Sequence, residues 1–511
     1  MKKQTLAAIM IVVIALVGVG VFYLAQPYLK KKSFLNASDA KSAVGTVSVR
    51  IGGDGYAGYG VFRTAEFQKN LLGQGLTVDF KDDNGAYAER LQKFAAGELD
   101  MIVLPVNSYL ENGKDWPGVI VAGIAESKGA DAIVGRKDKF ATGSIKALDD
   151  PTLRIAFTPQ SPSEFLLNSV RSHFGFEGLN GTSTWRVEAT GSEDVRKRLV
   201  AGQADAGILW EPDVSKALES PELVVIFGSD KFSGLIVDVL VVRRDYYLKN
   251  EETVHKLLQT YFVTLRLYAM DRQKFVADMA QVTGLPAKQT EAMLGKIDFL
   301  DVQENATKFF GVKMGDLPAA EGMVNVILSC MDVMKRVGVP LASELKNPYE
   351  LTNRGMIERL VTTMPQAIGQ AAAAKDVPAL DLAAWRALKE VGALRIEPIS
   401  FQSGAELLDQ TGKEEVDRVA YLLLNNYPGY RVIVRGHTGP GDEQANRELS
   451  QNRAEVVKRY LEVTHSIDPD RMLAEGMGFT QPPKARPGES QRSLRSRAPR
   501  VEFVLVEGND L

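Results

Sequence analysis

The chain has 511 residues, of which 45% are hydrophobic and 24% charged, with a formal net charge of -3. At roughly 100 to 200 residues per domain this allows about three folded units, and the balance excludes wholesale disorder, a collagen-like repeat and a polytopic membrane protein. A pI near 6.0 supplies no broad basic surface to neutralise phosphates, which disfavours a nucleic-acid partner, and the lone Cys330 forms no intrachain disulfide.

In chain order, residues 6–25 (LAAIMIVVIALVGVGVFYLA) come first, an uninterrupted apolar run. At about 1.5 Å per residue such a run spans the roughly 30 Å hydrocarbon core of a bilayer. A cleaved signal peptide is the rival reading, but Tyr23 puts a ring at the first position of the small-x-small site that cleavage needs. An uncleaved inner-membrane anchor over 1–32 is therefore expected. Lys2 and Lys3 precede the span and Lys30, Lys31 and Lys32 follow it, so charge alone does not orient it. The small, polar residues 33–45 read as a linker.

From Thr46 strand and helix signals alternate. TVSVRIG (46–52), LTVDF (76–80), LDMIVLP (99–105), GVIVAGIA (118–125), LRIAFTP (153–159), ADAGILW (204–210) and LIVDVLVVRR (235–244) read as strands. VFRTAEFQKNLL (61–72), AYAERLQKFAAGE (86–98) and SEFLLNSVRSHFGF (163–176) read as amphipathic helices, and a largely helical stretch runs from 251 to about 339. This alternation implies an α/β architecture with mainly parallel sheets. Residues 346–393, with the QAAAAK run, read as a helical connector. ALRIEPISF (393–401), EEVDRVAYLLLNNY (414–427), YRVIVRGHT (430–438), NRELSQNRAEVVKRYLEV (446–463) and RVEFVLVE (500–507) then compose a separate β-α-β-α-β module over 394–511.

Gly53-Asp54-Gly55-Tyr56-Ala57-Gly58 matches GxGxxG after a strand, with Asp79 ending the next strand where a ribose-binding acid would lie. A domain held outside the cytoplasm has little access to nicotinamide cofactor, so a ligand-cleft turn is preferred and no cofactor is expected. The four histidines are scattered and lack HExxH or CxxC companions, so no metal site is expected. Neither a GxSxG elbow nor a Ser-His-Asp order is present, and binding is favoured over catalysis.

The runs ERLQKFAAGELDMIVLP (89–105), LRIAFTPQSPSEFLLNSVRSHFGF (153–176), ADAGILWEPDVSKAL (204–218) and DVLVVRRDYYLKNEETVHKLLQTY (238–261) resemble, in order and spacing, the periplasmic substrate-binding proteins of ABC transporters of the nitrate, sulfonate and thiamine-precursor type. The resemblance implies a type II, two-lobed domain over 46–345 holding a small solute in a hinged cleft. Candidate ligand-binding residues are Ser161, Ser163 and Glu164 at a helix start, Trp210 and Glu211 at a strand's carboxyl end, and Asp54 and Asp238 at strand ends. The serines favour an anion; the carboxylates, if they converge, favour an amine or other cation. Both remain open at this point.

RVIVRGHTGPGDEQANRELSQNRAEVVKRYL (431–461), GMGFTQPP (476–483) and PRVEFVLVE (499–507) resemble the OmpA-like peptidoglycan-binding domain, an α+β fold. In that family an aspartate after Gly-His-Thr and an arginine in Leu-Ser-x-x-Arg-Ala grip the two charged ends of the stem peptide's diamino acid. Leu449, Ser450, Arg453 and Ala454 match, and the resemblance implies that Arg453 takes the carboxylate. Gly439 stands where the aspartate is expected, which leaves Asp442 and Thr438 as candidates for the other end. Arg486, Arg492, Arg495, Arg497 and Arg500 form a basic stretch that reads either as attraction to anionic polymer or as a solvated loop. Together these readings give a single-pass inner-membrane protein with periplasmic domains. It would capture a small solute for a transporter or a sensor and hold peptidoglycan. An envelope scaffold with a degenerate cleft, and a periplasmic enzyme, are the competing classes.

Overall fold

The computed structural model describes residues 46–140, 144–179, 184–315, 317–364, 377–402, 407–483, 485 and 489–507. The expected anchor and linker (1–45), the QAAAAK run and Arg486 lie outside the described residues. Among the described residues no helix is long and apolar enough to cross a membrane.

The first lobe is built on β1 (Val47–Gly53), β2 (Leu76–Asp82), β3 (Met101–Pro105) and β4 (Gly118–Ser127). The second lobe contains β5 (Asp131–Arg136), β6 (Ile155–Phe157), β7 (Arg186–Glu188), β8 (Ala206–Trp210) and β9 (Leu223–Gly228). The chain then returns to the first lobe with β10 (Val237–Arg243) and β11 (Ile297–Phe299), giving sheet orders β11-β4-β10-β3-β1-β2 and β7-β6-β8-β5-β9. Strands β3 and β4 are buried along their whole length, which is why they read as continuous apolar runs rather than alternating ones.

The sheets are mixed, not mainly parallel as expected. β1 pairs in parallel with β2 and β3, but β10 runs antiparallel to both β3 and β4. The reason is topological. β4 leaves the first lobe at Ser127 and β10 re-enters beside it, with Val237 opposite Glu126, so the outgoing and returning strands must oppose one another. β5 likewise runs antiparallel to β8 and β9. The two crossovers lie side by side: the Ser127 and Ser229 hydroxyls are 2.7 Å apart, and Ser229 Oγ accepts from Gly129 N at 2.8 Å. Beside them the buried Glu126 carboxylate accepts from Gly234 N at 2.6 Å and pairs with Lys308 at 2.9 Å.

Residues 346–364 do not form a free connector. Asn353 N donates to Ile120 O, Ala342 N donates to Leu110 O, and Leu351, Met356, Ile357 and Leu360 are buried, so this stretch completes the first lobe. The carboxy-terminal module has sheet order β12-β15-β13-β14, from β12 (Lys389–Ala393), β13 (Arg431–His437), β14 (Met472–Gly476) and β15 (Arg500–Glu507). Its first strand ends where ALRIEPISF was expected to begin, because Lys389 to Ala393 find partners on β15. The helix Glu443–His465 packs on β13 and β14 through two close approaches: a Cβ at Gly436 would stand 2.0 Å from Ser450 O, and one at Gly476 2.6 Å from Gln451 N.

This module is docked against both lobes. Tyr427 OH lies 2.6 Å from His173 Nδ1, and Lys231 pairs with Glu507 at 2.7 Å. Ser233 N donates to Asn426 O at 2.8 Å, while Asn426 Nδ2 donates back to Ser233 O at 3.3 Å. Tyr421 OH meets Ser329 Oγ at 2.8 Å on the helix Gly322–Val337, which itself packs on the helices Val106–Asn112 and Pro162–Phe174 of the two lobes. Ser233 lies in the crossover between β9 and β10, so the module holds the hinge itself.

Candidate functional site

The lobes are closed on one another. Ala57 N donates to Glu211 O at 3.1 Å, Ser108 Oγ to Gln160 O at 3.2 Å and Asn84 Nδ2 to Thr190 O at 3.3 Å, each across the cleft. Lys296 of the first lobe pairs with Glu211 of the second at 2.8 Å. Where the lobes meet, Tyr56, Tyr59, Tyr87, Ile236 and Asp238 face Asp131, Pro162 and Trp210 around a space of about 180 Å³, too narrow in this closed form to admit a water molecule. A wider cavity, with about 410 Å³ open to water, lies beyond Tyr87, lined by residues 85–89, 158–160 and 188–190.

Three polar groups in the inner space make no hydrogen bond of good geometry among the described residues: Asp131 Oδ1, Asp238 Oδ2 and the Tyr56 hydroxyl, with the Ser127 hydroxyl near the first and the last. All three residues are buried. The other Asp238 oxygen accepts from the Tyr59 hydroxyl. Burial pushes the Asp131 carboxyl up to about 7, against the Ser127 hydroxyl and with help from Asp54 and Glu211. Burial also drives Asp238 well above the usual carboxylate range, opposed by Tyr59 and reinforced by Asp131 and Asp54. The same burial, followed by the Asp238 and Asp131 charges, raises the Tyr56 hydroxyl.

Of the residues expected in the cleft, Trp210 and Asp238 line it. Asp54 does not: it is fully buried in an ion triad, accepting from Arg90 at 2.8 Å and Tyr56 N at 2.9 Å, while Arg90 also binds Asp83 at 2.6 Å and Val103 O at 2.7 Å. Arg90 lies over the Tyr87 ring at 4.5 Å, so the triad positions one cavity wall. Ser161 caps the helix Pro162–Phe174 by accepting from Ser163 N and donates to Thr158 O at 2.5 Å; Ser163 donates to Ile208 O at 3.0 Å. Glu164 pairs with Arg186 at 2.8 Å, and Glu211 accepts from Ser215 N and Oγ besides holding Lys296. These four serve the frame, because each has its polar atoms consumed inside the protein.

Asp131, Tyr56, Tyr59 and Tyr87 were not foreseen. Asp131 starts a strand absent from the sequence reading, and the tyrosines sat in segments read as turn and helix. The GxGxxG segment runs from the end of β1 into a 3-10 helix, Ala57–Arg63, whose first amide is spent on Glu211 O, and the Asp79 carboxylate pairs with Lys81 at 2.8 Å. Among the described residues no group of three or more His, Cys, Asp or Glu is placed to hold a metal ion.

In the carboxy-terminal module Arg453 lies over the Phe401 ring at 5.0 Å, and its Nε is buried without a hydrogen-bond partner among the described residues. Thr438, just after β13, is buried with an unpartnered hydroxyl. Asp442 instead caps the helix Glu443–His465, accepting from Ala445 N at 2.9 Å, and Asn446 Nδ2 closes the turn on Gly439 O. Ser450 is structural, accepting from Gly478 N at 2.9 Å. In the basic stretch, Arg497 pairs with Glu489 and Arg500 with Glu502, both at 2.6 Å, while Arg492 and Arg495 are exposed.

Residues 400–496 match the OmpA family. No curated protein matches the chain. Among solved structures it is similar to the periplasmic aliphatic sulphonate binding protein of Escherichia coli (17% identity, 61% of this chain and 99% of that chain, TM-score 0.46). It is also similar to a putative sulfonate ABC transporter's periplasmic sulfonate-binding protein from Methylobacillus flagellatus KT (15% identity, 65% and 99%, TM-score 0.47). A third similar structure is the periplasmic nitrate-binding protein of Synechocystis PCC 6803 (9% identity, 63% and 91%, TM-score 0.47). The chain joins two α/β lobes, linked by two crossovers, to a carboxy-terminal segment that matches the OmpA family over residues 400–496.

Proposed function

We propose that the protein is an envelope-tethered solute receptor, anchored in the inner membrane through residues 6–25 and held to peptidoglycan through its OmpA domain. It binds without turnover, and a transporter or sensor in the same membrane reads its occupancy. The observation that carries this reading is the closed interlobe space lined by three buried polar groups that the protein itself leaves without a hydrogen bond of good geometry. A buried polar group without a partner costs free energy, and in a hinged cleft a solute is the natural compensation. Thermal unfolding with and without small solutes tests this: a ligand at 100 times its Kd adds about 2.7 kcal/mol, and silence toward every solute class sinks the receptor. The narrowness of the closed space gives the scaffold with a degenerate cleft its standing as second reading.

Wall attachment rests on Arg453, a guanidinium held by an aromatic ring with one buried N–H left over. Sedimentation with purified peptidoglycan should retain the native chain and lose Arg453→Ala by tenfold or more. Equal retention of the two defeats the role of Arg453.

A further inference from the structure

We infer that the cleft takes a small organic cation carrying N–H donors, a primary ammonium or a guanidinium, anchored by Asp131 and Asp238 and walled by the rings of Tyr56, Tyr59, Tyr87 and Trp210. This deepens the solute-receptor reading and rests on it. Two carboxyl oxygens from opposite lobes point to the same space without a donor, and although burial favours the protonated form of both in the empty cleft, a cation between them draws them to the ionised form, which only accepts. Among the described residues no lysine or arginine lines that space. Arg90, buried beneath the Tyr87 ring, is already matched by both Asp54 and Asp83.

An anion is badly served here. Of the tyrosine hydroxyls around the space, Tyr59 is spent on Asp238, leaving Tyr56 and Tyr87 as the neutral donors. The helix start offers little: Pro162 has no N–H, and Ser163 N is taken by Ser161 Oγ at 3.1 Å. An anion beside Asp131 and Asp238 could be held only while both carboxyls stay protonated, since ionisation of either would add like charge in a dry site. A cation gains twice, from the carboxylates and from those of the four rings that turn a face to it. A metal ion is not the occupant these residues suit, because they do not form a metal-ligand set and the remaining walls are aromatic.

The test uses the full chain in detergent micelles, following thermal unfolding and tryptophan fluorescence with n-butylammonium, methylguanidinium, tetramethylammonium, ethanesulfonate and nitrate. Butylammonium or methylguanidinium should raise Tm and shift the Trp210 emission. Asp131→Asn and Asp238→Asn should each weaken that binding tenfold or more, and Tyr56→Phe, which removes only a hydroxyl, several-fold. Tetramethylammonium, lacking N–H, should bind more weakly; if it binds as well or better, the hydrogen-bonding anchor is wrong. A response to ethanesulfonate or nitrate with none to the amines overturns the cation and leaves the receptor standing. Amine binding undisturbed in folded Asp131→Asn and Asp238→Asn overturns the site. Silence toward all five probes overturns the cation and leaves the receptor to the wider solute panel.

Discussion

Asp131 carries the sharpest single-residue consequence. Folded, it keeps its proton up to about pH 7, against a usual value of 3.8. Between those limits the folded chain binds more protons than the unfolded one, so this group's contribution to stability falls as pH rises from about 4 to 7. Asp131→Asn should therefore stabilise the solute-free protein at pH 8, by an amount on the order of 2 kcal/mol, and give almost nothing at pH 4. Melting curves at the two pH values check the sign. His173 works in the opposite sense: burial lowers it to about 4, so its contribution is present above about 6.5 and fades as pH falls toward 4. Legibility in the sequence follows the same chemistry. Trp210 and Asp238 were readable because they end or begin conspicuous apolar strands. Asp131 was not, since DAIVGR is short and its neighbour in space, Asp238, is 107 positions away. Asp54 looked like a ligand residue because nothing local reveals that Arg90 and Asp83 would enclose it.

Among elements, the long apolar strands β3, β4, β8 and β10 were legible, as was the helix bearing Arg453. The strands that escaped notice are short or carry charge and glycine. β14, with sequence MLAEG, shows no alternation and exists because β13 offers it a parallel partner. β7 spans three residues, none of them buried. Strand direction was misjudged for a different reason, since periodicity carries no record of where the chain changes lobes. The packing of the helix Glu443–His465 on β13 depends on Gly436, where any side chain meets Ser450 O. Gly436→Ala should push the helix away, cost on the order of 2 kcal/mol or more, and reduce wall retention although Arg453 is intact. Sedimentation beside circular dichroism checks this, and full retention in the variant would mean that the helix position does not govern the grip.

At the scale of the whole molecule, the OmpA domain holds the crossover between β9 and β10 through Asn426 and Ser233, and Tyr427 reaches His173 in the second lobe. Loss of this clasp should free the lobes. In Asn426→Ala, fluorescence energy transfer between labels on the two lobes should report a larger separated population than in the native chain, and peptidoglycan should change that population only when the clasp is intact. An unchanged distribution would mean that the domain merely rests there. The paired hydroxyls of Ser127 and Ser229 add a constraint of their own. Because they tie the outgoing and returning segments into one strap, the halves are left with a single axis of rotation rather than independent twisting. Entry and escape of a guest then share one barrier, so a residue change that lowers that barrier alone hastens arrival and departure alike.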